Sequence, residues 1–177
     1  MAVILVRHTR PAVPKGMCYG RMDVGLADTF AEEAAAVLAA LPSVHQVVTS
    51  PLNRCLQLAK YIAEARNLPI EVDGRLMELD FGRWEGRPWS AVPEADLDAW
   101  ARDFMLARPH GGESIAMLRD RVAAVLSDWS ARRKSVAIVT HAGVIRAACE
   151  PRTDEPWDFR PSVDFGGIIV LGDSNRI

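Results

Sequence analysis

The sequence predicts an α/β protein, a three-layer α/β/α sandwich around a mostly parallel central sheet. Three observations predict it. Ala2-Val3-Ile4-Leu5-Val6 is an uninterrupted apolar run of strand length, as expected for a strand buried on both faces, and Val136-Ala137-Ile138-Val139 repeats it. Each run ends in a histidine, Arg7-His8 in the first case and Thr140-His141 in the second. Between and around them, short apolar strands alternate with helical segments, the pattern of βαβ units. Open parallel sheets bind ligands in the crevice outside the carboxyl ends of their strands, so two such strands can deliver both histidines to one site.

At 177 residues, 49% hydrophobic and 25% charged, the chain has enough apolar surface for one core, and a single domain over residues 1–177 is expected. A formal net charge of −2 gives no electrostatic footprint for nucleic acid or an anionic membrane. The N-terminal apolar run, closed by Arg7, is too short for a signal peptide or a membrane span. Cys18, Cys55 and Cys149 are odd in number and lack a CxxC spacing, which suits reduced thiols in a cytoplasmic protein.

The elements follow in order. After His8, residues 9–28 carry Pro11, Pro14, Gly16, Gly20 and Gly25, too many breakers for a regular element, so they form a loop over the strand end. Thr29-Phe30-Ala31-Glu32 fits a capping box that opens an alanine-rich helix running to about Leu41. Gln46–Thr49 reads as a second strand, and Ser50-Pro51 as the N-cap and first residue of the next helix, which puts Arg54 in its first turn. There the helix N-terminus already favours an anion, and a guanidinium adds a full charge with a forked donor. Leu68–Val72 is the expected third strand. Residues 75–86 have neither helical nor strand period. Helices are expected over Pro93–Arg108 and from Ser114 through Trp129, then a short one through Ile145 and Ala148, and a last strand at Ile168–Leu171.

Five motifs stand in this order: Leu5-Val6-Arg7-His8-Thr9, Ser50-Pro51-Leu52-Asn53-Arg54, Glu78-Leu79-Asp80-Phe81-Gly82-Arg83-Trp84-Glu85-Gly86, Gly111-Gly112-Glu113-Ser114 and Thr140-His141-Ala142-Gly143. Together, over roughly residues 3–148, the chain resembles the histidine phosphatase superfamily, also called phosphoglycerate mutase-like. Cys18-Tyr19-Gly20-Arg21 with Asp23, and the run from Asp80 to Gly86, look most like its α-ribazole-5′-phosphate phosphatase branch, which acts in cobalamin lower-ligand assembly.

The resemblance implies a metal-independent phosphomonoesterase with no cofactor, acting on a small phosphorylated substrate. By it His8 is the nucleophile that accepts the phosphoryl group, and Arg7, Arg54 and His141 complete the phosphate pocket. Two guanidinium forks and a second imidazole suit the charge on the equatorial oxygens. Glu78 resembles the general acid/base, which requires a raised pKa, expected from burial against Trp84 or Phe81 and from the phosphate dianion. Asp80 and Glu85 are its rivals. Thr9, Tyr19, Gly20, Arg21 and Ala142 are the expected further substrate contacts. Members of the family often pair into homodimers.

Other readings of the same residues stay open. Two histidines and a glutamate also suit a metal, although the spacing matches no zinc signature and the flanking arginines repel a cation. Arg21 and Arg83 fit substrate contact or a surface position equally. His45 and His110 read as structural, Trp84 and Trp89 as packing residues. Cys18 and Cys55 read as packing residues too, although Arg54 would lower the Cys55 pKa. Trp157, Phe159 and Phe165 fit either a substrate wall or the core. A broad-specificity small-molecule phosphatase, a phosphoglycerate mutase, a short phosphohistidine-protein phosphatase and a non-catalytic phosphate-binding module are the alternative functions. Mutases of this family are generally longer, and a binder has no use for the Glu78 carboxylate. Two positions depart from the family pattern: Thr9 replaces a glycine, and Pro14 an asparagine that contacts phosphate.

Overall fold

The computed structural model describes residues 2–132, 134–149 and 162–171. Among the described residues five strands form one sheet in the order β3-β2-β4-β1-β5: β1 (Val3–Arg7), β2 (Gln46–Thr49), β3 (Ile70–Val72), β4 (Val136–Thr140) and β5 (Ile168–Leu171). The β3/β2, β2/β4 and β4/β1 pairs are parallel, whereas β5 runs antiparallel to β1. An antiparallel edge strand on a parallel sheet leaves the fold class as expected, α/β and mostly parallel.

Helices cover both faces: α1 (Phe30–Ala40) and α2 (Asn53–Arg66) on one, α4 (Ile115–Ala131) and α5 (Ala142–Cys149) on the other. The alternation of side chains along β1 divides it between two cores. Ile4 and Val6 pack with Val37, Leu58 and Ile62 under α1 and α2, while Leu5 packs with Leu118, Val122 and Ile145 under α4 and α5. A further helix, α3 (Glu94–Arg102), covers a smaller aromatic cluster around Trp84, Trp89 and Trp100. Trp84 and Trp89 are thus packing residues, with rings 6.0 Å apart.

The chain leaves β1 toward α1 on one face and β4 toward α5 on the other, yet these strands are neighbours, with Arg7 opposite Thr140. The crevice at their carboxyl ends is therefore the topological switch point of the sheet, and His8 and His141 are the next residue on each strand.

Several local expectations are corrected. Helix α2 starts at Asn53 with Leu52 as its N-cap, so Ser50-Pro51 is not its cap and first residue. Asp23 supplies the anion instead, its carboxylate accepting from the Asn53 N–H at 2.7 Å. Arg54 still falls in the first turn. Thr29 makes no side-chain cap bond; its hydroxyl donates to Glu33 at 2.7 Å, and that carboxylate also accepts from the Arg10 N–H. Helix α3 is shorter than the span to Arg108, and β3 begins at Ile70. Residues 9–28 are an irregular loop, as read from their breakers, tacked down by the bridges Pro11–Leu26 and Met17–Pro88.

Candidate active site

His8 extends β1 by one residue and is 2% exposed. Its backbone N–H donates to the Thr140 carbonyl at 3.0 Å, which ties the ends of β1 and β4 together. Nδ1 lies 2.7 Å from the carbonyl oxygen of Thr9. A carbonyl only accepts, so Nδ1 carries the proton and the lone pair resides on Nε2. Burial, and after it the charge of Arg54, pushes the His8 imidazole down to about 3. The ring is neutral at physiological pH, with Nε2 unprotonated.

His141, fully buried just before α5, meets His8 edge-on with ring centroids 5.2 Å apart. Burial lowers its pKa well below the ordinary value, and the neighbouring His8, Arg54, Arg121 and Arg7 act in the same direction. Its Nε2 is 2.9 Å from Ser50 Oγ and 3.4 Å from Cys55 Sγ. The Cys55 thiol is itself pushed up by burial, which outweighs Arg54 and corrects the expectation of a lowered value.

Arg7 and Arg54 flank this pair. Arg7 Nη1 donates to the Val163 carbonyl at 2.6 Å, and its guanidinium lies 4.0 Å from the Phe165 ring centroid. The forked end of the wholly buried Arg54 donates to the carbonyls of Met22 and Gly20, at 2.8 and 2.6 Å. That fork was expected on phosphate; here it anchors the overlying loop. Nε of both arginines and Oγ1 of Thr9 are buried without a partner among the described residues. An unsatisfied buried donor costs about 1–3 kcal/mol, and an anion's oxygens accept from such groups. Thr9 keeps a negative φ, Asn67 being the one non-glycine residue with positive φ among those described, so threonine costs no strain where the family has glycine. Pro14 sits in an exposed turn, its carbonyl accepting from Met17.

Glu78, half-buried after the 3-10 turn Gly74–Leu76, has its carboxylate held by the Leu79 N–H at 2.9 Å and the Gly143 N–H at 3.1 Å. A Cβ on Gly143 would overlap that carboxylate. The expected aromatic wall is elsewhere: Phe81 and Trp84 pack on His110, with centroids 5.9 and 4.8 Å away. The rivals are otherwise engaged. Glu85 accepts from the N–H groups of Arg21, Met22 and Phe81, and Asp80 from that of Gly82.

The remaining expected contacts fall as follows. Tyr19 hydrogen-bonds Arg7, and Arg54 lies 5.1 Å from its ring centroid. Gly20, at φ +20°, passes so close to Glu85 and the Leu79 carbonyl that no side chain fits. Arg21 reaches Glu113, Asp80 and the Glu78 carbonyl. Ala142 opens α5. Arg83 is an exposed partner of Asp96. Phe165, 5.6 Å from the His8 ring, stands as a wall over that imidazole, whereas Trp157 and Phe159 lie outside the described residues. Among the described residues no group of three His, Cys, Asp or Glu side chains is placed to hold a metal ion, and no helix is long and apolar enough to cross a membrane.

Residues 3–167 match the family model for the histidine phosphatase superfamily (branch 1). The chain belongs to that superfamily, and it is a phosphoric monoester hydrolase. It is 31% identical over 153 residues to phosphoserine phosphatase 1 of Hydrogenobacter thermophilus, covering 82% of this chain and 72% of that one. It is also 31% identical over 175 residues to a glucosyl-3-phosphoglycerate phosphatase of Mycolicibacterium vanbaalenii, covering 90% and 77%. The α-ribazole phosphatase of Shigella flexneri superposes with a TM-score of 0.85 at 25% identity, covering 97% of this chain and 90% of that structure.

Proposed function

We propose that the protein hydrolyses small phosphomonoesters through a phosphohistidine on His8 Nε2, with α-ribazole 5′-phosphate as the first candidate substrate. The observation that carries the mechanism is the Nδ1–Thr9 carbonyl hydrogen bond, which leaves Nε2 as a neutral nucleophile beside the guanidinium groups of Arg7 and Arg54, each with a buried Nε. Nε2 attacks phosphorus in line with the ester oxygen, the P–O bond breaks, and the alkoxide takes a proton from Glu78. Glu78 then removes a proton from water, which attacks phosphorus; the P–N bond breaks and phosphate leaves. Arg7, Arg54, Thr9 and His141 stabilise the equatorial oxygens, so that cationic side chains supply the charge a metal ion supplies elsewhere.

The substrate choice is supported by the Cys18–Arg21 and Asp80–Gly86 runs and by the likeness to the Shigella α-ribazole phosphatase. Relatives named for phosphoserine and glucosyl-3-phosphoglycerate define the competitors. Three free thiols fit a reducing, cytoplasmic setting. The test is phosphate release in EDTA from α-ribazole 5′-phosphate, phosphoserine, glucosyl-3-phosphoglycerate, nucleotide monophosphates and 3-phosphoglycerate, by wild type and His8→Ala. The expected result is the highest kcat/KM for α-ribazole 5′-phosphate and its loss in His8→Ala. Even hydrolysis across the panel removes the substrate assignment. Release that needs added metal, or that survives His8→Ala, removes the mechanism.

A further inference from the structure

We infer that Glu113 and Arg121, which hydrogen-bond neither histidine, are positioning residues: they hold the backbone of Glu78 so that its carboxyl group stands in line for proton transfer. This rests on the reading of Glu78 as general acid/base. Two guanidinium groups converge on the Glu78 carbonyl oxygen, Arg121 Nη2 at 3.1 Å and Arg21 Nε at 3.3 Å. A carbonyl has two lone pairs, and here both have a charged donor. Glu113, 6% exposed, lies between those arginines. It takes Arg121 in a two-pronged pair, Nε to Oε1 at 2.7 Å and Nη2 to Oε2 at 2.8 Å, and meets Arg21 Nη2 at 3.3 Å.

The anchorage of Glu113 is rigid as well. Its N–H donates to the Asp80 carbonyl at 2.9 Å, and the adjoining Ser114 caps α4, the helix that carries Arg121. Arg121 also donates to the Arg75 carbonyl, and Thr140, next to His141, donates to the Leu76 carbonyl at 2.8 Å. The segment before Glu78 is thus pinned to the helix layer and to β4. At its other end the Glu78 carboxylate is held by Gly143, two residues past His141. Rotation of the 78–79 peptide is opposed at the carbonyl by two charged hydrogen bonds, so loss of Glu113 or Arg121 displaces the acid without touching the nucleophile.

A pair that merely stabilises the fold and a pair that aims an acid differ in one readout. p-Nitrophenolate leaves without a proton at neutral pH, whereas the alkoxide of benzyl phosphate needs one, and kcat/KM for both esters reports the first phosphoryl transfer. Kinetics are measured on Glu113→Gln, Arg121→Lys, Glu78→Gln and the double variant Glu78→Gln/Glu113→Gln, with thermal melting as the check on folding. Arg121→Lys keeps the charge and serves if Glu113→Gln does not fold.

Glu78→Gln is expected to lower kcat/KM for benzyl phosphate by about 100-fold and for p-nitrophenyl phosphate by a much smaller factor. Glu113→Gln and Arg121→Lys are expected to show the same split at about 10-fold, and Glu113→Gln to add nothing to the split in the Glu78→Gln background. Equal losses for both esters in the Glu113 and Arg121 variants, with the split intact in Glu78→Gln, overturn the positioning role alone. Absence of the split in Glu78→Gln overturns the acid/base reading and the positioning role with it.

Discussion

The hydroxyl of Ser50 lies 2.9 Å from Nε2 of His141, joining the residue after β2 to the residue after β4. One hydrogen bond thereby orients a wholly buried imidazole that faces the His8 ring edge-on.

Removal of that hydroxyl leaves Cys55 Sγ, a much weaker partner at 3.4 Å, as the neighbour of the nitrogen. A net hydrogen bond is worth about 1 kcal/mol, or roughly fivefold in rate. Ser50→Ala is expected to lower kcat about fivefold with a small change in KM, measured by steady-state kinetics, and Ser50→Thr to restore most of it. Wild-type kcat in Ser50→Ala contradicts the orienting role.

A second expectation concerns acid. His8 and His141 are lowered in the folded protein, chiefly by burial, while in the unfolded chain a histidine titrates near about 6.5. Below that pH the unfolded state binds more protons, so their contribution to stability is complete above about pH 6.5 and is lost as pH falls toward the folded value of about 3 for His8. Each contributes a limiting slope of about 1.4 kcal/mol per pH unit. Urea unfolding between pH 7 and pH 4 is expected to show a shallower loss in His8→Asn than in wild type, by about one proton. Parallel curves contradict a neutral buried His8.

Gly143 offers a cleaner separation of stability from activity. Alanine is a better helix residue than glycine by up to about 1 kcal/mol, yet its Cβ would overlap the Glu78 carboxylate. Since a shift of about 1 Å at a catalytic group costs on the order of 100-fold, Gly143→Ala is expected to melt near the wild-type temperature while losing most of its activity on an alkyl phosphate. Full activity in that variant means that Glu78 has room to move and does not need its present place.

Much of this site was legible in the residues because it hangs on the simplest elements. β1 and β4 are apolar runs whose ends can be read directly, so His8 and His141 followed, and Arg54 kept its first-turn place although the helix begins later than Ser50-Pro51 suggests. What displaced that helix start is non-local: Asp23, from the loop over the strand ends, caps Asn53, and Ser50 is held by His141 instead. The aromatic wall expected around Glu78 failed for a similar reason. Phe81 and Trp84 are near it in sequence, but the 3-10 turn Gly82–Trp84 carries them onto His110. For Phe165 the residues left wall and core both open, since its place over His8 depends on the antiparallel return of β5 beside β1. Nor does any spacing connect Arg121 to Glu78; only the packing of α4 against the turn before Glu78 does.

The most direct test is to catch the intermediate. The enzyme is mixed with a phosphomonoester, quenched in alkali within the first turnovers and digested, and the phosphoryl group is mapped by mass spectrometry and assigned to a ring nitrogen by phosphorus NMR. Phosphate on Nε2 of His8, labile to acid and absent from His8→Ala, is the predicted result. Turnover with no phosphohistidine at residue 8, or with the phosphoryl group on Nδ1, contradicts it.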